Sequence, residues 1–109
     1  MNDRYFKIFF SHRSMTWILE ERDKTGRKIH LSQERWVHIQ KHPETTVLYL
    51  ERVKEALMYP DKIVDFDLDM NVHFYFKYYK DRKEYLFISI KYLNGDGFII
   101  TSFYTDTIQ

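Results

Sequence analysis

The densest run of chemistry-bearing side chains in this sequence is Arg35-Trp-Val-His38-Ile-Gln-Lys41-His42-Pro-Glu. Two imidazoles four positions apart share one face of a helix. An imidazole can give or take a proton near neutral pH, so His38 and His42 are candidates for a general acid and base. Arg35 and Lys41 put positive charge beside them. The same spacing can hold a metal ion, with His73 as a third donor. The residue after His38 is Ile39, however, where a helical metalloprotease needs glutamate, and no metal is assigned. The remaining reading is structural, with both rings at the rim of the core.

A second cluster is Val72-His73-Phe-Tyr75-Phe-Lys77-Tyr-Tyr79. Strand alternation places His73, Tyr75, Lys77 and Tyr79 on one face. Aromatic rings stack on bases and cations bind phosphate, so Tyr75 and Tyr79, with Lys80, Arg82 and Lys83 beyond them, form a candidate RNA-binding surface. The bland alternative is a half-exposed sheet that keeps its phenols wet. Thr101, Ser102 and Tyr104 offer hydroxyls near the end of the chain. Asp65, Asp67 and Asp69 alternate on one expected strand face. They do not make a calcium loop, because Met70 and Phe76 stand where glycine and the bidentate glutamate belong.

These residues must be positioned by ordered elements. Tyr5–Phe10 reads as a strand. Trp17–Arg22 and Arg27–Leu31 read as a hairpin turning at Gly26. Ser32 can cap a helix whose inward residues are Trp36 and Ile39, and His42-Pro43 ends it. A second helix starts near residues 44–46, with Val47, Leu50, Val53 and Leu57 at helical spacing, and Tyr59-Pro60-Asp61 stops it. Lys62–Leu68, Val72–Tyr79, Tyr85–Leu93 and Phe98–Tyr104 read as strands, the last two joined at Asn94-Gly-Asp-Gly97.

Composition narrows the classes. A chain of 109 residues is one domain, 1–109. No cysteine is present, which excludes disulfides, zinc–thiolate sites, iron–sulfur clusters and a cysteine nucleophile. Mean hydropathy is −0.54 and no apolar run suits a membrane span, so a soluble, cytoplasmic protein without membrane contact is expected. Net charge is +1, but residues 1–43 carry nine Lys/Arg against five Asp/Glu, and residues 44–69 three against seven. The molecule should have a basic and an acidic side.

Ile29-His-Leu-Ser, the helix through His42-Pro-Glu, Tyr59-Pro60-Asp-Lys-Ile63 and the closing Phe98-Ile-Ile-Thr101-Ser-Phe-Tyr104 together resemble the phage-associated branch of the barnase–EndoU–colicin–RelE-like nucleases, over about residues 29–106. The resemblance implies an α+β fold. Two N-terminal helices pack on an antiparallel four-stranded meander in residues 29–109, and residues 1–28 add a β-hairpin extension. It implies a metal-independent endoribonuclease, toxin-like and without a cofactor. His38 and His42 match the catalytic helix, Lys77 or Lys80 the basic strand position, and Thr101 or Ser102 with Tyr104 the closing strand. The chain lacks the strongly basic character of RelE-like toxins, which points to a narrow RNA groove.

In the expected reaction one histidine removes the 2′-hydroxyl proton and the other assists. Lys77 and Arg82 steady the phosphate, Thr101 or Tyr104 orients it, and a 2′,3′-cyclic phosphate results. RNA is the expected partner, and an inhibitory antitoxin would suit the acidic 44–69 side. The competing classes are a non-catalytic protein-interaction or RNA-binding module and a small metal-binding regulator using His38, His42 and His73. The enzyme reading requires His38, His42, Lys77 and a closing-strand hydroxyl to meet in one cleft.

Overall fold

The computed structural model describes residues 17–42 and 45–108; the strand expected at Tyr5–Phe10 lies outside them. In chain order the elements are β1 Trp17–Arg22, β2 Lys28–Ser32, α1 Gln33–Ile39, α2 Val47–Met58, β3 Lys62–Asp65, β4 Val72–Tyr79, β5 Glu84–Leu93 and β6 Asp96–Thr105. The tight turns follow from backbone chemistry. Gly26 takes φ +88° between β1 and β2, and Asn94 and Gly95 take φ +54° and +87° between β5 and β6. Two successive positive φ values match the right-handed twist of a hairpin. Ser32 caps α1, its Oγ accepting from Arg35 N at 3.1 Å.

The strands form one six-stranded sheet, ordered β1-β2-β6-β5-β4-β3. This corrects the expected architecture of two N-terminal helices on a four-stranded antiparallel meander with a hairpin extension. The β1–β2 hairpin is part of the sheet, and both helices lie between β2 and β3 in the chain. The sheet is mixed because β2 joins β6 in parallel, through Ile29↔Gly97 and His30↔Phe98, while every other pairing is antiparallel. Gly97 permits that joint. A Cβ there would stand 2.4 Å from Ile29 Cδ1 and 3.0 Å from both Ile90 and Tyr92.

Both helices pack on one face of the sheet. Ile39 from α1 and Tyr49, Val53, Ala56 and Leu57 from α2 meet Leu19, Ile29, Leu31, Tyr75, Leu86, Ile88, Ile90 and Ile99. The expected α2 stripe holds at Leu50, Val53 and Leu57 and fails only at Val47. Val47 is exposed and Tyr49 is buried, because Tyr49 sets the inward direction through a 2.6 Å hydrogen bond to Ser102. The three aspartates do not share a strand face. β3 stops at Asp65, and Asp69 lies in the following turn, accepting from Asn71 N and pairing with Lys91.

The β1–β2 turn is fastened to the core by Asp23. Its Oδ1 accepts from Thr25 N (2.8 Å), Thr25 Oγ1 (2.6 Å) and Arg27 N (3.0 Å). Its Oδ2 accepts from Tyr92 OH (2.6 Å) and Tyr75 OH (3.1 Å). Burial alone would raise the Asp23 pKa, but the donors from Thr25, Tyr92 and Arg27 outweigh it and hold the carboxyl below its usual range. Burial also pushes the Tyr75 phenol up to about 12, so it remains a donor. With the folded pKa depressed, the Asp23 contribution is complete above the unfolded value of about 3.9 and fades as pH falls toward the folded one. Asp23→Asn should therefore lower the unfolding free energy by about 3 kcal/mol at pH 7. Urea unfolding at pH 7 and pH 3 should show the gap between wild type and variant narrowing at the lower pH.

Candidate active site

The helices cover one face of the sheet, and strand register decides which side chains reach the other. β6 carries an irregularity: Ile90 pairs with Ile99 and Ser89 with Thr101, so Ile100 is an extra residue. Simple alternation would put Ile99, Thr101 and Phe103 together. The bulge instead leaves Ile99, Ser102 and Tyr104 on the helix side, and Thr101 and Phe103 on the far side with Ser89 and Phe87. Ser102 is thereby committed to Tyr49, and of these two neighbouring hydroxyls Thr101 is the one on the far face.

α1 follows β2 directly and packs against β6. Its last turn tightens, with Lys41 N and His42 N donating to the carbonyls of His38 and Ile39. His42 emerges exposed, its ring 5.9 Å from that of Phe103. It therefore stands on the same side of β6 as Thr101. His38 is exposed on α1 and Lys41 in the turn after it, and Arg35 is half-buried on α1. From Phe103 a chain of rings crosses the far face: Phe103–Phe87 at 4.8 Å, Phe87–Phe74 and Phe87–Phe76 each at 5.3 Å.

Other expected site residues are placed elsewhere. His73, Tyr75, Lys77 and Tyr79 do share a face, but it is the helix-facing one. Tyr75 is 1% exposed, hydrogen-bonded to Asp23 and Tyr92, and closed to a base. Tyr79 is buried too, donating to Glu55 at 2.6 Å. Lys77 donates to Tyr59 O at 3.0 Å, across the sheet from His42. Tyr104 is also on the helix side, with the Arg82 guanidinium 3.8 Å over its ring and Arg52 Nη1 donating to its hydroxyl at 3.4 Å. Lys80 and Lys83 are exposed in the β4–β5 turn. The expected four-way meeting of His38, His42, Lys77 and a hydroxyl is thus replaced by His42 and Thr101 on one side of β6, with Lys77 and Tyr104 on the other. His73 pairs with Asp65 at 2.9 Å on β4, apart from the α1 histidines. Among the described residues no three His, Asp or Glu side chains are grouped to hold a metal.

Three contributors were not singled out by the sequence. Phe103, which abuts His42, was legible as the residue two beyond Thr101. Arg52 pairs with Asp81 at 2.8 Å and anchors α2 to the β4–β5 turn. His30 is buried between Glu20 Oε2 (2.9 Å) and Asp96 Oδ2 (3.0 Å), with its ring against Trp17 and Phe98. It locks three strands and is too enclosed to touch a substrate. No local pattern could announce it, since its partners are ten and 66 residues away. The bulge assigns opposite roles to neighbouring hydroxyls. Ser102→Ala should cost about 1 kcal/mol of stability through loss of the buried bond to Tyr49, whereas Thr101→Val should stay within about 0.5 kcal/mol of wild type in urea unfolding.

Among the described residues no helix is long and apolar enough to cross a membrane. No curated protein and no solved structure matches the chain. A family model does match, over residues 19–109, so the match takes in all but the first two residues of β1, the other five strands and both helices. The chain belongs to the phage-Barnase-EndoU-ColicinE5/D-RelE like nuclease2 family.

Proposed function

We propose that this nuclease-family chain is a metal-independent endoribonuclease, toxin-like in character, whose proton-transferring group is His42. The observation that supports this most directly is the exposed His42 ring against Phe103, on the side of β6 that also carries Thr101. An accessible imidazole on the strand face that carries a hydroxyl, with Arg35 and Lys41 nearby in the chain, suits phosphodiester transfer. A base takes the 2′-hydroxyl proton, the 2′-oxygen attacks phosphorus, and the P–O5′ bond breaks as an acid protonates the departing 5′-oxygen. The products are a 2′,3′-cyclic phosphate and a 5′-hydroxyl.

In this reading His42 transfers a proton and His38, four residues earlier on α1, assists. Thr101 donates a hydrogen bond to a phosphate oxygen. Arg35 and Lys41 replace Lys77 as the cations nearest the reaction, because Lys77 is held by Tyr59 O on the opposite face. The ring chain from Phe103 to Phe74 supports a second reading, an RNA-binding module without cleavage, since aromatic rings can accept stacked bases.

Total RNA incubated with purified protein in excess EDTA distinguishes the readings. Cleavage should occur and leave cyclic-phosphate ends. His42→Ala should slow it by about 100-fold or more with an unchanged melting temperature, Thr101→Val by about 10-fold, and Lys77→Ala by less than about 3-fold. RNA that stays intact while binding with measurable affinity would leave the binding-module reading in place of the enzyme.

A further inference from the structure

The acidic part of the chain has a surface that no step of RNA cleavage uses. β3 is the terminal strand of the sheet. Phe66 N donates to Val72 O, which marks a hydrogen-bonded antiparallel pair. Two residues earlier Val64 faces Phe74 in the same phase, so Ile63 and Asp65 turn their N–H and C=O groups outward. Among the described residues no strand pairs with that outer edge. Its flanks combine charge and apolar surface. Asp61, Asp65 and Asp67 are exposed, against Lys62 alone. Leu68 and Met70 in the adjoining turn are 85% and 84% exposed, and Tyr59 at the other end of β3 is 68% exposed.

We propose that β3 is a docking edge that takes an extended, lysine- or arginine-rich segment of a partner protein as a further strand. The backbone groups of Ile63 and Asp65 would pair with the incoming chain. Its cations would face Asp65 and Asp67, and its apolar side chains would cover Leu68 and Met70. A second copy of this chain does not fit, because β3 against β3 would set the two acidic edges in direct opposition. The short, charged edge thus refuses its own kind while accepting a basic strand. β3 lies three strands from β6, about 14 Å across the sheet. A partner seated there leaves His42 uncovered, so it tethers the protein and does not plug the histidine site. The inference stands apart from the ribonuclease reading.

The test uses a synthetic nonapeptide of alternating lysine and valine, and a control peptide with glutamate in place of lysine. Amide hydrogen exchange of the full chain is followed by NMR at low salt. The lysine peptide should slow exchange at Ile63 and Asp65 at least ten-fold, saturably and at sub-millimolar concentration, and the glutamate peptide should not. The double change Asp65→Lys with Asp67→Lys should abolish the protection. Leu68→Ser with Met70→Ser, which alters only exposed turn residues, should weaken it several-fold without loss of folding. No added protection at Ile63 and Asp65, equal effects of the two peptides, or protection confined to β1 would overturn the proposal. RNA cleavage in the same samples is a separate readout and should not change with peptide.

Discussion

The parallel contact between β2 and β6 is the constraint from which the rest of the architecture follows. It is short, two residue pairs, and it depends on Gly97 having no side chain where Ile29, Ile90 and Tyr92 converge. A parallel neighbour cannot be reached by a tight turn and needs a long crossover. Here the crossover contains α1, α2, β3, β4 and β5, which is most of the molecule. Because α1 begins at the residue after β2, the joint also fixes where α1 lies. It runs beside the part of β6 that β2 no longer accompanies, and its end brings His42 to Phe103. His30 reinforces the same joint by bridging Glu20 of β1 and Asp96 of β6. A buried imidazole between two carboxylates resists sliding, since any shift in register would strand a polar group.

The bulge at Ile100 is the second constraint, and it separates structure from chemistry within three residues. Without it Thr101 would point at the helices and Ser102 away from them. With it Ser102 satisfies the buried Tyr49 phenol and Thr101 shares the face of Phe103, the ring that His42 meets. Bulges bend a strand and re-aim side chains, and next to a candidate active site that re-aiming selects which hydroxyl can meet a ligand.

Much of the local structure was legible in the sequence, because local structure has local causes. Ser32 as a cap, Gly26 and Asn94-Gly95 as turns, the inward Trp36 and Ile39, and the strands after residue 70 rest on propensities and spacings of a few residues. The mixed sheet was not legible, since a two-pair parallel joint across 68 residues leaves no local trace. Nor was the bulge, since nothing in Ile99-Ile-Thr-Ser says which residue is the extra one. The arrangement of the candidate site was hidden for the same reason. The helix spacing announced the histidines and the closing strand its hydroxyls, but which of them face each other depends on a joint and a bulge.

The largest reversal concerns the tyrosines, and its cause is hydrogen bonding. On hydropathy alone the phenylalanine side of β4 should be buried and the Tyr/Lys side should meet water. The protein does the opposite with Tyr75 and Tyr79. It can do so because their hydroxyls and those of Tyr49 and Tyr92 find acceptors or donors inside: Asp23 for Tyr75 and Tyr92, Glu55 for Tyr79 and Ser102 for Tyr49. A buried phenol left without a partner costs about 1–3 kcal/mol, so four together are tolerable only when each is bonded. Those bonds also remove the tyrosines from any role in binding, for a ligand would have to replace partners already held at 2.6 to 3.1 Å. On the far face Phe74, Phe87 and Phe103, whose rings need no hydrogen-bond partner, lie half-buried against one another.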